Sequence, residues 1–160
     1  MQSGALLSTI TLRPEKLGKL GTKTYQLMCE LGFNENHMLT LAPPPRHVRG
    51  AEWIIERWRE TVSAYEARYH IPLQWALIAT NDWSATSLRQ KASGHVVWIG
   101  DKLPEHYCFL LTKWRKFGNC KHTSHDLRRD VHRSKVGYWC QHLENDYYAV
   151  DWSDGIKISL

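Results

Sequence analysis

The sequence predicts an α+β fold, an antiparallel sheet with helices packed mainly on one face. Three observations predict it. Between Gly50 and Tyr69 apolar residues recur at intervals of three and four, the spacing of an amphipathic helix. Two apolar runs of strand length, Leu73–Thr80 and His95–Ile99, follow it as the arms of a hairpin. The order along the chain then reads strand, long helix, strand, histidine-bearing strand, helix, tyrosine-bearing helix.

Residues 1–33 read as an N-terminal extension packed on a single domain of residues 34–160. Within the extension, Thr9–Leu12 suits a short strand and Thr22–Leu31 a short helix stopped by Gly32. His37-Met38-Leu39-Thr40-Leu41-Ala42 is a compact apolar run closed by Pro43-Pro44-Pro45, as in a buried strand. The helix that follows places Trp53, Ile54, Trp58, Thr61, Val62, Tyr65 and Tyr69 on one stripe, and Pro72 ends it. About twenty residues make a helix ~30 Å long, enough to cover a sheet.

After the strand Leu73–Thr80 the chain is polar through Lys91, giving the hairpin a long connection. Asp101-Lys102-Leu103-Pro104-Glu105 begins a helix with proline in its first turn, expected to run to Phe117 and stop at Gly118-Asn119. Residues 120–132 are irregular or a short strand. Arg133–Leu143 forms a last helix with Val136, Trp139, Cys140 and Leu143 on one side. The tail alternates through Tyr148, Val150, Trp152, Ile156 and Ile158, as a terminal strand or hairpin does.

With 42% apolar and 23% charged residues in 160, the composition is that of a folded domain able to bury its own core. No run of about eighteen apolar residues is present, so no membrane partner is expected. Met1–Leu7 lacks the basic start and apolar core of a signal peptide, which points to the cytoplasm of the producing or host cell. The four cysteines, Cys29, Cys108, Cys120 and Cys140, show no C-x-x-C spacing and are expected reduced, with Cys108 packing as a small hydrophobe.

Twenty-one Lys+Arg against sixteen Asp+Glu give a net charge of +5, which favours a polyanionic partner. The basic charge is concentrated in Lys113, Arg115, Lys116, Lys121, Arg128, Arg129, Arg133 and Lys135, against Asp126 and Asp130. Lysine and arginine contacts to phosphates release counterions and bind without reading sequence. Trp114, interleaved among them, is a candidate for stacking a base, or a core residue at helical spacing. Apart from nucleic-acid contact, the same stretch reads as a solvated charged face.

Three short motifs resemble those of the HUH endonucleases, in particular the rolling-circle replication initiators of plasmids and small phages. His37-Met38-Leu39-Thr40-Leu41 resembles the first motif, an apolar strand rich in Leu and Thr. Ser93-Gly94-His95-Val96-Val97-Trp98-Ile99-Gly100 resembles the second, where two histidines flank one apolar residue. Val136-Gly137-Tyr138-Trp139-Cys140-Gln141-His142-Leu143 resembles the third, a helix bearing a nucleophilic tyrosine followed by a lysine and a second tyrosine. The chain departs from the pattern in two places. In one register Ser93 replaces the first histidine and His95 is the second; in the other, Val97 replaces the partner of His95. Gln141 and His142 stand where the lysine and second tyrosine would be.

The resemblance implies a DNA-binding protein of a mobile genetic element, acting on single-stranded or hairpin DNA. It further implies an endonuclease in which Tyr138 attacks a phosphate and forms a 5′-phosphotyrosine. His95 would hold Mn²⁺ or Mg²⁺, with His37, His142 or Asp82 replacing the missing imidazole. A phenol has a pKa near 10 and is unreactive at neutral pH, so a metal polarising the phosphate would assist it. Against these roles stand a hydrogen-bonded structural His95 and a Tyr138 that packs its ring.

Two other functions fit the same residues. A catalytically inactive relative would serve as an interaction module, for instance an inhibitor of a host nucleoprotein complex. Alternatively Cys120, His122, His125, His132, Cys140 and His142 supply soft donors for a zinc-stabilised binding domain.

Overall fold

Five strands pair here, and the central ones form where apolar and β-branched residues run together. The computed structural model describes residues 17–44, 50–83, 90–124, 134–145, 148–156, 158 and 160. In chain order these hold helix α1 (Lys19–Glu30), strand β1 (His37–Ala42), helix α2 (Ala51–Tyr69), strands β2 (Trp75–Trp83) and β3 (Gln90–Trp98) and helix α3 (Pro104–Trp114). Strand β4 (Asn119–Ser124), helix α4 (Lys135–Gln141) with a 3-10 turn (His142–Glu144) and strand β5 (Tyr148–Trp152) complete them. The expected strand at Thr9–Leu12 lies outside the described residues. None of the described helices is long and apolar enough to cross a membrane.

The sheet order is β4-β1-β3-β2-β5 with every neighbouring pair antiparallel. The α+β class is therefore as expected, an antiparallel sheet with helices against it. The helices, however, are shared between its faces. Leu39, Leu41, Trp75, Leu77, Val96 and Trp98 pack under α2 and α3, around Ile54, Trp58, Tyr65, Leu110 and Trp114. Met38, Ala76, Ile78 and Val97 face the other way, under Met28 of α1 and Val136, Trp139 and Cys140 of α4. The cause is in the central strands. Ala76-Leu77-Ile78-Ala79 and Val96-Val97-Trp98 are apolar at both parities, the pattern of a strand buried on both sides.

Residues 17–33, read as part of an extension, thus supply one wall of the second core: Met28 is fully buried and Phe33 nearly so. Strand β3 starts at Gln90, not His95, because Gln90–Ser93 pair with Trp83–Thr80 and lengthen the hairpin. Helix α3 stops at Trp114 rather than Phe117, where the chain turns close across the end of β1. A side chain at Gly118 would lie 2.1 Å from the Ala42 carbonyl oxygen, so only glycine passes there. Cys108 is exposed on α3, which corrects the expectation that it packs in the core.

A candidate nucleic-acid face around Tyr138

The position of Tyr138 is set at the start of its helix. Ser134 Oγ accepts a 3.0 Å bond from the Gly137 N–H, an N-cap, and donates one of 2.7 Å to Glu35 Oε1. Glu35 also accepts from the Tyr25 hydroxyl of α1, and its carbonyl takes the Lys135 N–H at 2.8 Å. One carboxylate thus ties α4 to α1 and to the segment leading into β1. Burial, then hydrogen bonding to Glu35, raises the Tyr25 pKa and keeps that hydroxyl a donor.

Held this way, α4 lays Tyr138 over the central strand β3. The Tyr138 and His95 ring centroids are 5.3 Å apart at an interplanar angle of 89°. His142, one turn after Tyr138, stacks on His95 at 4.3 Å and 15°, and lies 4.9 Å from the Tyr138 ring. Thr40 of β1 is the register partner of His95, and its Oγ1 is 3.3 Å from His95 Nδ1. Only 5% of His95 is exposed. Burial first, and the neighbouring His142 second, push its pKa down to about 3, so the imidazole is neutral at physiological pH.

The same face becomes polar towards one end of the sheet. Ser93 and Thr80 are cross-strand partners with hydroxyls 3.4 Å apart, and Thr80 also pairs with Tyr148. On the other side of His95, Thr40 pairs with Lys121 of β4, an exposed cation two strand spacings from the imidazole, about 10 Å. Thr40, Ser93 and Tyr148 are the residues of this face that sequence reasoning passed over. Their signal was parity: they become visible once the register fixes which strand residues share His95's side.

The remaining basic residues divide. Arg115 and Lys116 are exposed just beyond α3, while Lys113 is half-buried with its Nζ 5.4 Å from the Phe109 ring centroid. Lys135 is buried at 8% exposure, in the first turn of α4. Arg128, Arg129 and Arg133 lie outside the described residues. Trp114 is fully buried, and its indole N–H donates to the Asn119 and Ala42 carbonyls at 2.9 and 3.4 Å. It offers no ring face to a base, which corrects its candidacy for stacking. Its spacing with Tyr107 and Leu110 already marked a core stripe.

Of the metal candidates, His142 is brought against His95 but His37 is not. His37 lies on the opposite face from His95, ringed by Trp98, Tyr107 and His122. Alternation is the reason: Thr40 shares His95's side, and His37 is an odd number of residues away. The sheet likewise separates Cys120 and His122 from Cys140 and His142, so no single ion takes ligands from both pairs. Burial pushes both thiols up to about 12, which keeps them protonated. His125, His132 and the Asp82 side chain lie outside the described residues.

Among the described residues no group of three His, Cys, Asp or Glu is placed to hold a metal ion. The two histidines beside Tyr138 overlap face to face at 4.3 Å, so their in-plane lone pairs lie in separate parallel planes and do not meet. Mn²⁺ and Mg²⁺ prefer oxygen donors, and the oxygen in hydrogen-bond range of the His95 ring is the neutral Thr40 hydroxyl. This donor set does not fit a hard divalent ion.

Comparison with family models, with curated proteins and with solved structures finds no match for this chain, so its function is argued from the residues of this face.

Proposed function

We propose that this protein binds single-stranded or hairpin DNA across the sheet face that carries Tyr138, as the replication initiators its motifs resemble do. The observation supporting this is the convergence of the Tyr138 and His95 rings, 5.3 Å apart, on a central strand whose flank carries exposed Lys121. Half-buried Tyr138 offers an aromatic edge or face to an unpaired base, and stacking of that kind tolerates any sequence. Lys121, the exposed cation that the register puts on this face, neutralises phosphates. The Thr40 and Ser93 hydroxyls and the Tyr148 side chain suit phosphate and sugar contacts, which position a strand without reading it.

Fluorescence anisotropy with a labelled hairpin and a labelled single strand, repeated across salt concentrations, tests the reading. Affinity should fall steeply with salt, and Lys121→Ala should weaken binding to all sequences alike while reducing the salt slope by about one. Binding that is absent, or that ignores both salt and Lys121, overturns it.

A second reading rests on Tyr138 standing half-buried on the same face as exposed Lys121. The Tyr138 Oη would attack phosphorus and release its proton to water. The bond to the 3′ oxygen would break and that oxygen would take a proton from water. The products are a 5′-phosphotyrosine and a free 3′-hydroxyl. A covalent adduct with a labelled stem-loop, lost in Tyr138→Phe, is its test.

A further inference from the structure

A second histidine pair lies on the other face of the sheet, at its β1–β4 edge. His37 opens β1, and His122 sits on β4 opposite Leu39. His37 Nδ1 and His122 Nε2 are 3.0 Å apart, with ring planes 15° from parallel. Both residues are half-buried, neither fully enclosed.

We infer that His37 and His122 form a two-imidazole site for a divalent first-row transition ion, taken up at this edge of the sheet. The inference is independent of DNA binding, since the pair faces away from Tyr138. Three features support it beyond the distance. Metal–nitrogen bonds of about 2.0–2.1 Å span a gap of this size at a bend of roughly 90°, reached when each ring turns in its own plane by about 40°. Tyr107 stacks on His122 at 4.4 Å and Trp98 lies 6.2 Å from His37, so ring walls on the protein side restrict the imidazoles to few orientations. The Asp101 carboxylate, held by the Asn34 amide at 2.7 Å, adds a negative field on the His37 side that favours a cation and that the Lys135 ammonium offsets in part.

The proton chemistry is simple. Partial burial lowers the pKa of both rings, so both are neutral at physiological pH and share one N–H···N bond. The ring that donates moves its hydrogen to its other nitrogen, and the ion takes the two freed lone pairs with no change of oxidation state. Among the described residues no third His, Cys, Asp or Glu joins the pair, so water fills the remaining positions. Imidazole donors select Cu²⁺, Ni²⁺ and Zn²⁺ over Mg²⁺, with Cu²⁺ bound most tightly.

Imidazole ¹⁵N spectra of the full chain, titrated with Zn²⁺ and separately with Cu²⁺, test the site. One equivalent of Zn²⁺ should move the His37 Nδ1 and His122 Nε2 signals, and substoichiometric Cu²⁺ should broaden the same two first. Either His122→Gln or His37→Gln should abolish both effects at the partner ring while the His95 signals stay in place. Unmoved His37 and His122 signals at one equivalent overturn the proposal. So do responses that persist in both variants, because the ion is then held elsewhere.

Discussion

The rings of Tyr138 and His95 stand perpendicular, 5.3 Å apart, with His142 stacked on the far imidazole at 4.3 Å. This packing accounts for both the burial of His95 and its loss of basicity. It also leaves Tyr138 and His142 half-buried where His95 is enclosed.

Tyr138 is therefore expected to contribute to binding through its ring and to any strand transfer through its hydroxyl. Tyr138→Phe should bind single-stranded DNA as the natural chain does and form no covalent adduct. Tyr138→Ala should lose roughly 1–3 kcal/mol of binding free energy, the scale of one base–aromatic stack. Anisotropy titrations of the two variants distinguish these outcomes; equal affinity for Ala and Phe would place the DNA elsewhere.

The buried imidazole makes stability depend on pH. His95 titrates at about 3 in the folded chain against an ordinary 6.5, so between those values the unfolded chain binds a proton that the folded chain refuses. Stability then falls by about 1.4 kcal/mol for each pH unit lost below 6.5, and above that the contribution vanishes because both states are neutral. His37 and His122, also lowered mainly by burial, act in the same direction. Urea unfolding at pH 7.5, 6 and 5 should show a declining midpoint, with a shallower decline in His95→Gln. Parallel declines in the two proteins would contradict this.

How much of this was legible in the sequence depends on which physical signal was needed. Strand β1 at His37–Ala42 and helix α2 to Tyr69 were read from local pattern, because three prolines bound one and a long apolar stripe defines the other. Burial of both sheet faces was also written there, in central strands without alternation, but periodicity does not say which elements arrive to cover them. The pairing of His95 with Tyr138 came from the motif resemblance, which puts the second and third motifs at one site, and not from periodicity. The failure to pair His95 with His37 has a different cause. A strand residue's side depends on register, one step of slip reverses it, and register is decided by partners far along the chain. Trp114 shows the same limit: basic neighbours suggested an exposed ring, while a stripe with Tyr107 and Leu110 took it inside.

Register also explains why β3 carries glycine beside its histidine. Gly94 faces α2, and a methyl group there would lie 2.8 Å from Ile54 Cγ2 and 3.0 Å from Leu77 Cδ1. Both neighbours are fully buried, so neither has room to move. Gly94→Ala should cost about 1–3 kcal/mol, the usual range for overpacking a filled core. The thermal midpoint should drop accordingly. An unchanged midpoint would mean that α2 sits further from the sheet.

The last prediction concerns the anchor of the tyrosine helix. Ser134 is fully buried, and its hydroxyl does two jobs, accepting from the Gly137 N–H and donating to Glu35. Ser134→Ala removes the cap and one of the carboxylate's donors together, leaving the Tyr25 hydroxyl and solvent to satisfy Glu35. Loss of the N-cap costs about 0.5–2 kcal/mol, and loss of one donor to the half-buried Glu35 carboxylate adds to it. Because α4 has only seven residues, it has little propensity of its own to hold Tyr138 in place. The variant should unfold at lower urea and also bind DNA less tightly under conditions where it remains folded. Ser134→Thr restores an oxygen at the cap and should recover part of both, as denaturation and anisotropy on the same samples would show. A variant that loses stability but binds as before would separate the anchor from the DNA-binding face. That outcome would make the Glu35 network a fastening of the second core alone.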